Sequence, residues 1–184
     1  MHQALIGLGA NLGDRAATLG SAVDALAAHP EITVREFAEP GETRPVGGPA
    51  NQPPFLNSAA VLETTLSPEV LLSELLRIEG ELGRVRDQRW SARTLDLDLL
   101  LYDDQIRRTP RLVLPHPWLP FRDFVLEPAV TIAPDWRHPE LGARSMNCAG
   151  ICRRFRIGSS SKAANERYES GWLGSWRSPS VVTR

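Results

Sequence analysis

The segment that most constrains the fold is a short leucine-rich run that carries two aspartates, Asp96 and Asp98, at alternate positions. In a β-strand, side chains two residues apart project from the same face and lie about 6.6 Å apart along the backbone. Leu95, Leu97 and Leu99 then project from the opposite face into a core. The pattern therefore predicts a strand with one apolar face and one face that begins with two carboxylates.

These two carboxylates need a positive partner. Without one they repel each other, and the pKa of at least one of them rises. Mg²⁺ suits hard oxygen ligands, and it commonly takes one or two carboxylates together with water and phosphate oxygens. Guanidinium groups pair bidentately with phosphoryl oxygens, and four arginines come directly before the strand, at Arg84, Arg86, Arg89 and Arg93. The combination predicts a site for Mg²⁺ and a nucleotide.

Each of these two patterns also has a simpler interpretation. Two aspartates on a strand can form an exposed polar edge, and a run of arginines can be a solvated face. Their adjacency favours the functional interpretation, because Trp90 lies within the basic run and Asp87 is the single acid in that run.

Length and composition limit the remaining classes of protein. The 184 residues suffice for one domain with a sizeable core, and the net charge of −1 gives no general attraction to nucleic acid or to a membrane. The one lysine, Lys162, is not part of a GxxxxGK[ST] loop, which excludes a P-loop kinase. Two cysteines are too few for a disulfide framework, and we find neither a signal peptide nor a membrane span. A cytoplasmic protein is therefore expected.

Several separate motifs resemble one known family. The segment GRVRDQRWSARTLDLDLLLY, from Gly83 to Tyr102, is preceded by FLN at residues 55–57 and followed by LPHP at residues 114–117. In this order the motifs resemble 6-hydroxymethyl-7,8-dihydropterin pyrophosphokinase, a folate-pathway family, from about residue 4 to residue 142. The resemblance implies an enzyme that transfers pyrophosphate from ATP to the pterin alcohol and releases AMP. It also implies an α+β fold with a ferredoxin-like βαββαβ core, extended by further strands and helices into a three-layer α/β/α sandwich.

The resemblance also implies roles for individual residues. Asp96 and Asp98 would hold two Mg²⁺ ions between the triphosphate and the acceptor oxygen, and together with the phosphate clamps Arg84 and Arg93 they are the expected catalytic residues. The other residues expected to contact ATP are Glu79, Arg86, Arg89, Leu99, Arg111, His116 and Arg122. Those expected to contact the pterin are Thr43, Pro45, Val46, Phe55, Asn57, Trp90 and Phe124.

Alternatives remain open for three of these residues. Trp90 could be an ordinary core tryptophan instead of a side chain that closes over the pterin. His116 could be a structural turn residue, and Glu79 could be a surface glutamate. Phe55 stands where many relatives have tyrosine, so ring stacking is retained while any contact from a hydroxyl group is lost.

Periodicity and turn residues predict the other elements. Strands are expected at residues 4–8, 32–39, 55–64 and 111–114. Helices are expected after the GANLGD turn of residues 9–14, with Asp14 or Asn11 near the cap, from Ser67 and over residues 124–132. Residues 40–54 contain five prolines and three glycines, which predicts a long functional loop. Asp103 and Asp104 predict a hairpin turn whose chain returns through Gln105 and Ile106.

The organisation of the chain follows from these elements. We expect one catalytic domain over residues 1–145 and a flexible, serine-rich tail over residues 146–184, where seven basic residues stand against two acids. A monomer is expected. A binding module without turnover is disfavoured by the presence of both aspartates and the main arginines. A nucleic-acid-binding protein is disfavoured by the near-neutral charge and by the lack of an aromatic strand motif.

Overall fold

The fold combines an antiparallel sheet with helices. A computed structural model describes residues 1–45, 52–83 and 93–141. Within these residues, the main sheet is formed by β1 (His2–Ala10), β2 (Ile32–Phe37), β3 (Gly41–Thr43), β4 (Phe55–Thr64) and β5 (Asp96–Tyr102). The helices are α1 (Arg15–Ala27), α2 (Pro68–Glu81) and α3 (Asp123–Ile132), with a 3₁₀ turn at Leu119–Phe121. A separate two-stranded ladder is formed by β6 (Arg107–Arg108) and β7 (Val113–Leu114).

The order of the strands places β1 in the middle of the sheet. The order is β2-β4-β1-β5, each neighbouring pair is antiparallel, and β3 extends the pairing of β4 beyond β2. In the β1–β5 ladder, Gly9 pairs with Asp96 and Gly7 pairs with Asp98. The two aspartates therefore lie beside the two positions of β1 that have no side chain.

Side-chain alternation in the strands builds two cores. Ile6 and Leu8 of β1 belong to the core that contains the buried residues of α1 and α2, whereas Leu5 belongs to the core of α3. Helices thus cover both faces of the sheet, and the predicted apolar side of β5 is confirmed because Leu97 and Leu99 are buried against α1 and α2.

Both predicted helix starts are confirmed by their caps. Asp14 accepts a hydrogen bond from the backbone N–H of Ala17 at 3.1 Å and begins α1. Ser67 accepts from the N–H of Val70 at 3.4 Å and begins α2, with Pro68 in the first turn. Short polar side chains at these positions satisfy N–H groups that have no partner within the helix.

The predicted hairpin at Asp103 is wrong. The turn exists, with Asp103 at φ 46°, but β5 pairs with β1, and β6 pairs with β7 instead of returning along β5. The reason is tertiary: the Asp103 carboxylate accepts from the backbone N–H of Gln3 and bonds the ring of His2, both at 2.7 Å. These contacts hold the turn against the beginning of β1 and direct the chain away from the edge of β5.

Smaller differences concern the ends of elements. The second strand ends at Phe37, the strand predicted at 111–114 contains only residues 113–114, and the predicted loop at 40–54 begins with β3. In the described ranges, no helix is long and apolar enough to span a membrane. The predicted tail at 146–184 lies outside the described residues.

Candidate functional site

A pocket lies at the end of the sheet where β1, β4 and β5 meet the beginning of α3. It brings together eight of the residues expected at the site, namely Thr43, Phe55, Asn57, Arg93, Asp96, Asp98, Arg122 and Phe124. These residues come from four separate parts of the chain, and the antiparallel register of the sheet places them around one opening. The remaining lining residues are Gly7, Leu8, Gly9, Arg44 and Val125.

Each aspartate in the pocket is paired with an arginine. Arg93 Nη1 lies 2.7 Å from Asp96 Oδ2, and Arg122 Nη1 lies 2.9 Å from Asp98 Oδ2. The carboxylate side chains are 24 % and 31 % exposed, so both can be reached from the pocket. The repulsion expected between neighbouring carboxylates is therefore offset by two fixed cations, which could turn to phosphate oxygens when a nucleotide enters.

The electrostatics around Asp98 keep this carboxylate ionised. Burial alone would raise its pKa, but the electrostatic interaction with His116, the charge and hydrogen bond of Arg122 and the charge of Arg93 together outweigh burial and hold the pKa of Asp98 below its usual value. Burial also lowers the pKa of His116, although Asp98 opposes this shift. The pocket therefore presents an anionic oxygen donor at Asp98.

A buried glutamate on α2 bonds the backbone of β5 between the two aspartates. Glu79 of α2 is 1 % exposed, and its Oε1 accepts a hydrogen bond from the backbone N–H of Leu97 at 2.7 Å. The alternative that Glu79 is a surface residue is therefore wrong. Since Leu97 separates Asp96 from Asp98, this bond fixes the backbone that carries both carboxylates.

The other half of the pocket is lined by two aromatic rings and one side-chain amide. Phe55 and Phe124 both line it, and the Arg122 guanidinium lies 5.8 Å from the centre of the Phe124 ring. Asn57 donates from Nδ2 to Thr43 Oγ1 at 2.6 Å, which fixes the orientation of its amide. A Cβ atom at Gly9 would lie 2.7 Å from Asn57 Oδ1, so only glycine leaves room for this amide against β1.

Besides Glu79, four expected residues lie outside the pocket lining. His116 Nδ1 accepts from the backbone N–H of Trp118 at 3.2 Å, and the backbone N–H of His116 donates to the Leu100 carbonyl oxygen at 2.8 Å, so both contacts fix the turn that carries this side chain. Leu99 is 3 % exposed with its side chain in the core, which leaves only its backbone for a ligand. The other two are Pro45, which is half-buried, and Arg111, which is exposed.

Five further expected residues, Val46, Arg84, Arg86, Arg89 and Trp90, lie outside the described residues.

Sequence reasoning missed one buried residue that connects the two halves of the site. Asn11 is 1 % exposed, and its side-chain Oδ1 accepts from the backbone N–H of Arg93 at 2.7 Å. The backbone N–H of Asn11 donates to the Arg93 carbonyl oxygen at 3.2 Å. Its Nδ2 lies 3.4 Å from both Gln52 Oε1 and the Pro53 carbonyl. The signal is the GANLGD turn of residues 9–14, where the local pattern predicts Asn11 only as a possible helix cap.

The comparisons with known proteins agree with this geometry. The family model described as 7,8-dihydro-6-hydroxymethylpterin-pyrophosphokinase matches residues 5–134. The chain belongs to this family. The match includes both aspartates and both aromatic residues of the pocket.

Curated relatives carry the corresponding enzyme name, 2-amino-4-hydroxy-6-hydroxymethyldihydropteridine pyrophosphokinase. The chain is 46 % identical to the one from Methylorubrum extorquens over 135 residues, covering 73 % of this chain and 85 % of the relative. It is 42 % identical to the one from Synechocystis over 141 residues, covering 77 % and 71 %. It is 44 % identical to the one from Bacillus subtilis over 129 residues, covering 70 % and 77 %.

Solved structures support the fold. A crystal structure of HPPK-DHPS in complex with substrates matches with a TM-score of 0.62 at 13 % identity, covering 91 % of this chain and 45 % of the solved chain. The Plasmodium falciparum HPPK-DHPS with pteroate gives the same TM-score at 13 % identity, covering 85 % and 44 %. This chain thus spans less than half the length of those proteins, and the likeness concerns the HPPK fold.

Proposed function

We propose that this protein transfers pyrophosphate from ATP to 6-hydroxymethyl-7,8-dihydropterin, giving AMP and the pterin diphosphate in folate biosynthesis. The observation that carries this function is the pocket of a family member, in which two arginine-paired carboxylates lie at one end and two aromatic rings with an oriented amide lie at the other. One end suits a triphosphate, and the other suits a flat heterocycle with polar edges.

The aromatic half of the pocket binds the pterin. Phe55 and Phe124 hold its ring between their faces, and Asn57 reads its edge with one donor and one acceptor. Because the Asn57 amide is already oriented by Thr43, little conformational freedom is lost when the pterin enters. The hydroxymethyl group then points towards the aspartates.

The charged half of the pocket binds the triphosphate. Arg93 and Arg122 already lie at the carboxylates, where they can contact phosphate oxygens and neutralise the charge that is transferred. The described pocket offers no nucleophilic serine or cysteine. The protein therefore accelerates the transfer by alignment and charge neutralisation, and no covalent intermediate on the protein is needed.

The donor set of the pocket fits Mg²⁺. Asp96 and Asp98 are hard oxygen donors that face the pocket, and no cluster of three or more metal-ligating side chains occurs in the part of the chain that the structure describes. Two carboxylates are what Mg²⁺ uses when water and phosphate oxygens complete its shell. We infer that these aspartates hold two Mg²⁺ ions, which when bound would neutralise the phosphates and orient the acceptor oxygen.

The core of the fold is proposed to be ferredoxin-like. The succession of β1, α1, β2, β4, α2 and β5, with the sheet order β2-β4-β1-β5, supports a βαββαβ unit, and helices on both faces support a three-layer α/β/α sandwich. The proposed domain covers residues 1–145, in keeping with a family match that ends at residue 134. We further propose a cytoplasmic monomer without nucleic-acid or membrane partners, in keeping with the net charge of −1.

The direct test is AMP formation from ATP, Mg²⁺ and the pterin alcohol. The wild type should form AMP and the pterin diphosphate in equal amounts, and Asp96→Asn should abolish both while leaving pterin binding intact. ADP instead of AMP would contradict pyrophosphoryl transfer. Pterin and ATP binding without any turnover would leave a binding module.

A further inference from the structure

At the beginning of α1, Arg15 contacts Glu42 and Pro54, which flank the proline- and glycine-rich residues 43–53. Its Nη1 donates to the carbonyl oxygen of Pro54 at 2.7 Å, and its Nη2 donates to the carboxylate of Glu42 at 2.9 Å. One guanidinium group therefore joins the side chain of Glu42 to the backbone at Pro54.

Both contacts lie next to residues that line the pocket. Glu42 is followed by Thr43, and Pro54 is followed by Phe55; Thr43 and Phe55 are paired in the β3–β4 ladder. Arg15 itself is not among the lining residues of the pocket. It therefore holds the aromatic half of the pocket from outside, without contact to a substrate.

The short β3–β4 ladder alone holds these residues together only weakly. β3 contributes only three pairs to β4, and those pairs must close the connection between Thr43 and Phe55. The planar fork of an arginine fixes two acceptors at once in a defined geometry. The Arg15 side chain is 29 % exposed and Glu42 is 58 % exposed, so this brace is accessible to salt.

We propose that Arg15 is a positioning residue for the pterin. It fixes Thr43 opposite Phe55 and, through the hydrogen bond from Asn57 to Thr43, the amide that reads the pterin edge. This inference rests on the proposed function and adds a determinant of pterin affinity outside the pocket. The charged half of the pocket makes no use of Arg15, so the affinity for ATP is independent of it.

The test compares Arg15→Met with the wild type. Methionine keeps an apolar stem at this position and removes both hydrogen bonds. The Kd of the pterin should rise about threefold to tenfold, as expected for a partly exposed charged hydrogen-bond pair. The Kd of a nonhydrolysable ATP analogue with Mg²⁺ should stay unchanged, and kcat at saturating pterin should stay close to that of the wild type.

Two further variants separate positioning from general loss of structure. Arg15→Lys keeps the positive charge, but an ammonium group lacks the planar geometry with which the guanidinium group donates to two acceptors. Its pterin affinity should therefore lie between those of Arg15→Met and the wild type. Arg35→Met removes a comparable ion pair to Glu63, which lies at the far end of β4 from Phe55, about 26 Å along the strand. This control should change neither Kd, and all three variants should unfold at similar temperatures.

The proposal is overturned if Arg15→Met binds the pterin as tightly as the wild type. It is also overturned if the variant loses pterin and ATP-analogue affinity in equal proportion, or if Arg35→Met weakens pterin binding as much. A wild-type chain that binds the pterin but forms no AMP would contradict the proposed function alone, because the pterin Kd values would still decide the role of Arg15. High salt supplies a further check: it should weaken pterin binding in the wild type more than in Arg15→Met.

Discussion

The protein uses arginine–carboxylate pairs in two regions that differ in exposure. In the pocket, Arg93 pairs with Asp96 and Arg122 with Asp98, and these four side chains are between 21 % and 31 % exposed. On the outer surface of α2, Arg77 pairs with Glu74 and Glu81; the Arg77 and Glu81 side chains are 48 % and 58 % exposed, whereas Glu74 is 13 % exposed. The chemical groups are the same, while the surroundings differ.

The difference shows what each set of pairs can do. A surface pair competes with water and salt, and it contributes little to stability. The pocket pairs are partly shielded, and their aspartates lie on β5, whose backbone is bonded to Glu79 at Leu97 and paired with β1. Such pairs keep charged groups in place before a ligand arrives, which is the preorganisation that phosphoryl transfer requires.

The largest expected effect is that of Asp98→Asn. The substitution keeps the shape of the side chain and removes the charge that would hold Mg²⁺, so kcat should fall by about 10³ or more. Steady-state AMP formation over a range of Mg²⁺ concentrations measures this loss. Recovery of wild-type kcat at high Mg²⁺ would show that Asp98 only assists binding of the metal.

A smaller loss is expected from Arg122→Met. Removal of a guanidinium that contacts both Asp98 and the Phe124 ring should lower kcat/KM by about 10²-fold, which corresponds to one charged contact in a shielded site. Arg77→Met on α2 is the matched control and should leave kcat/KM unchanged. Equal losses in both variants would remove the distinction between the two regions.

Glu79→Gln tests the buried carboxylate that lies behind the pocket pairs. The amide oxygen can still accept from Leu97, so the fold should survive, whereas Glu79→Ala leaves this buried N–H without its acceptor and should cost about 1–3 kcal/mol of unfolding free energy. Denaturant unfolding measures the free energy for each variant. We also expect the alanine variant to need more Mg²⁺ for half-maximal activity. Unchanged Mg²⁺ dependence would mean that the strand does not depend on Glu79.

The smallest effect concerns pH and the surface pair. The hydrogen bond from Arg77 holds the pKa of Glu74 below its usual value. Because the pKa of Glu74 is lower in the folded protein, its pair with Arg77 contributes fully to stability above the pKa of a glutamate in the unfolded chain, about 4.3. This contribution is lost as the pH falls through the pKa of Glu74 in the folded protein. The small difference in unfolding free energy between the wild type and Glu74→Gln should therefore shrink below that pH. A difference that grows with acid would contradict the assignment.

The sequence predicted a large part of the site because the informative residues were close together in the chain. Asp96 and Asp98 share a strand face, and Ser67 and Asp14 cap the helices where local pattern placed them. The sequence left open whether Glu79 lies on the surface. The structure excludes this alternative, because Glu79 is buried against a strand residue that comes 18 residues later.

By itself the sequence determined the elements and the chemistry of this protein: a strand with a carboxylate face, capped helices, and motifs of a pyrophosphokinase family. Only the tertiary structure decided that Gly7 and Gly9 stand beside the aspartates, that Asn11 and Arg15 hold the chain around the pocket, and that the turn at Asp103 leads away from β5. The physical reason is that periodicity and capping act within a few residues, whereas strand register and side-chain contacts join residues far apart in the chain.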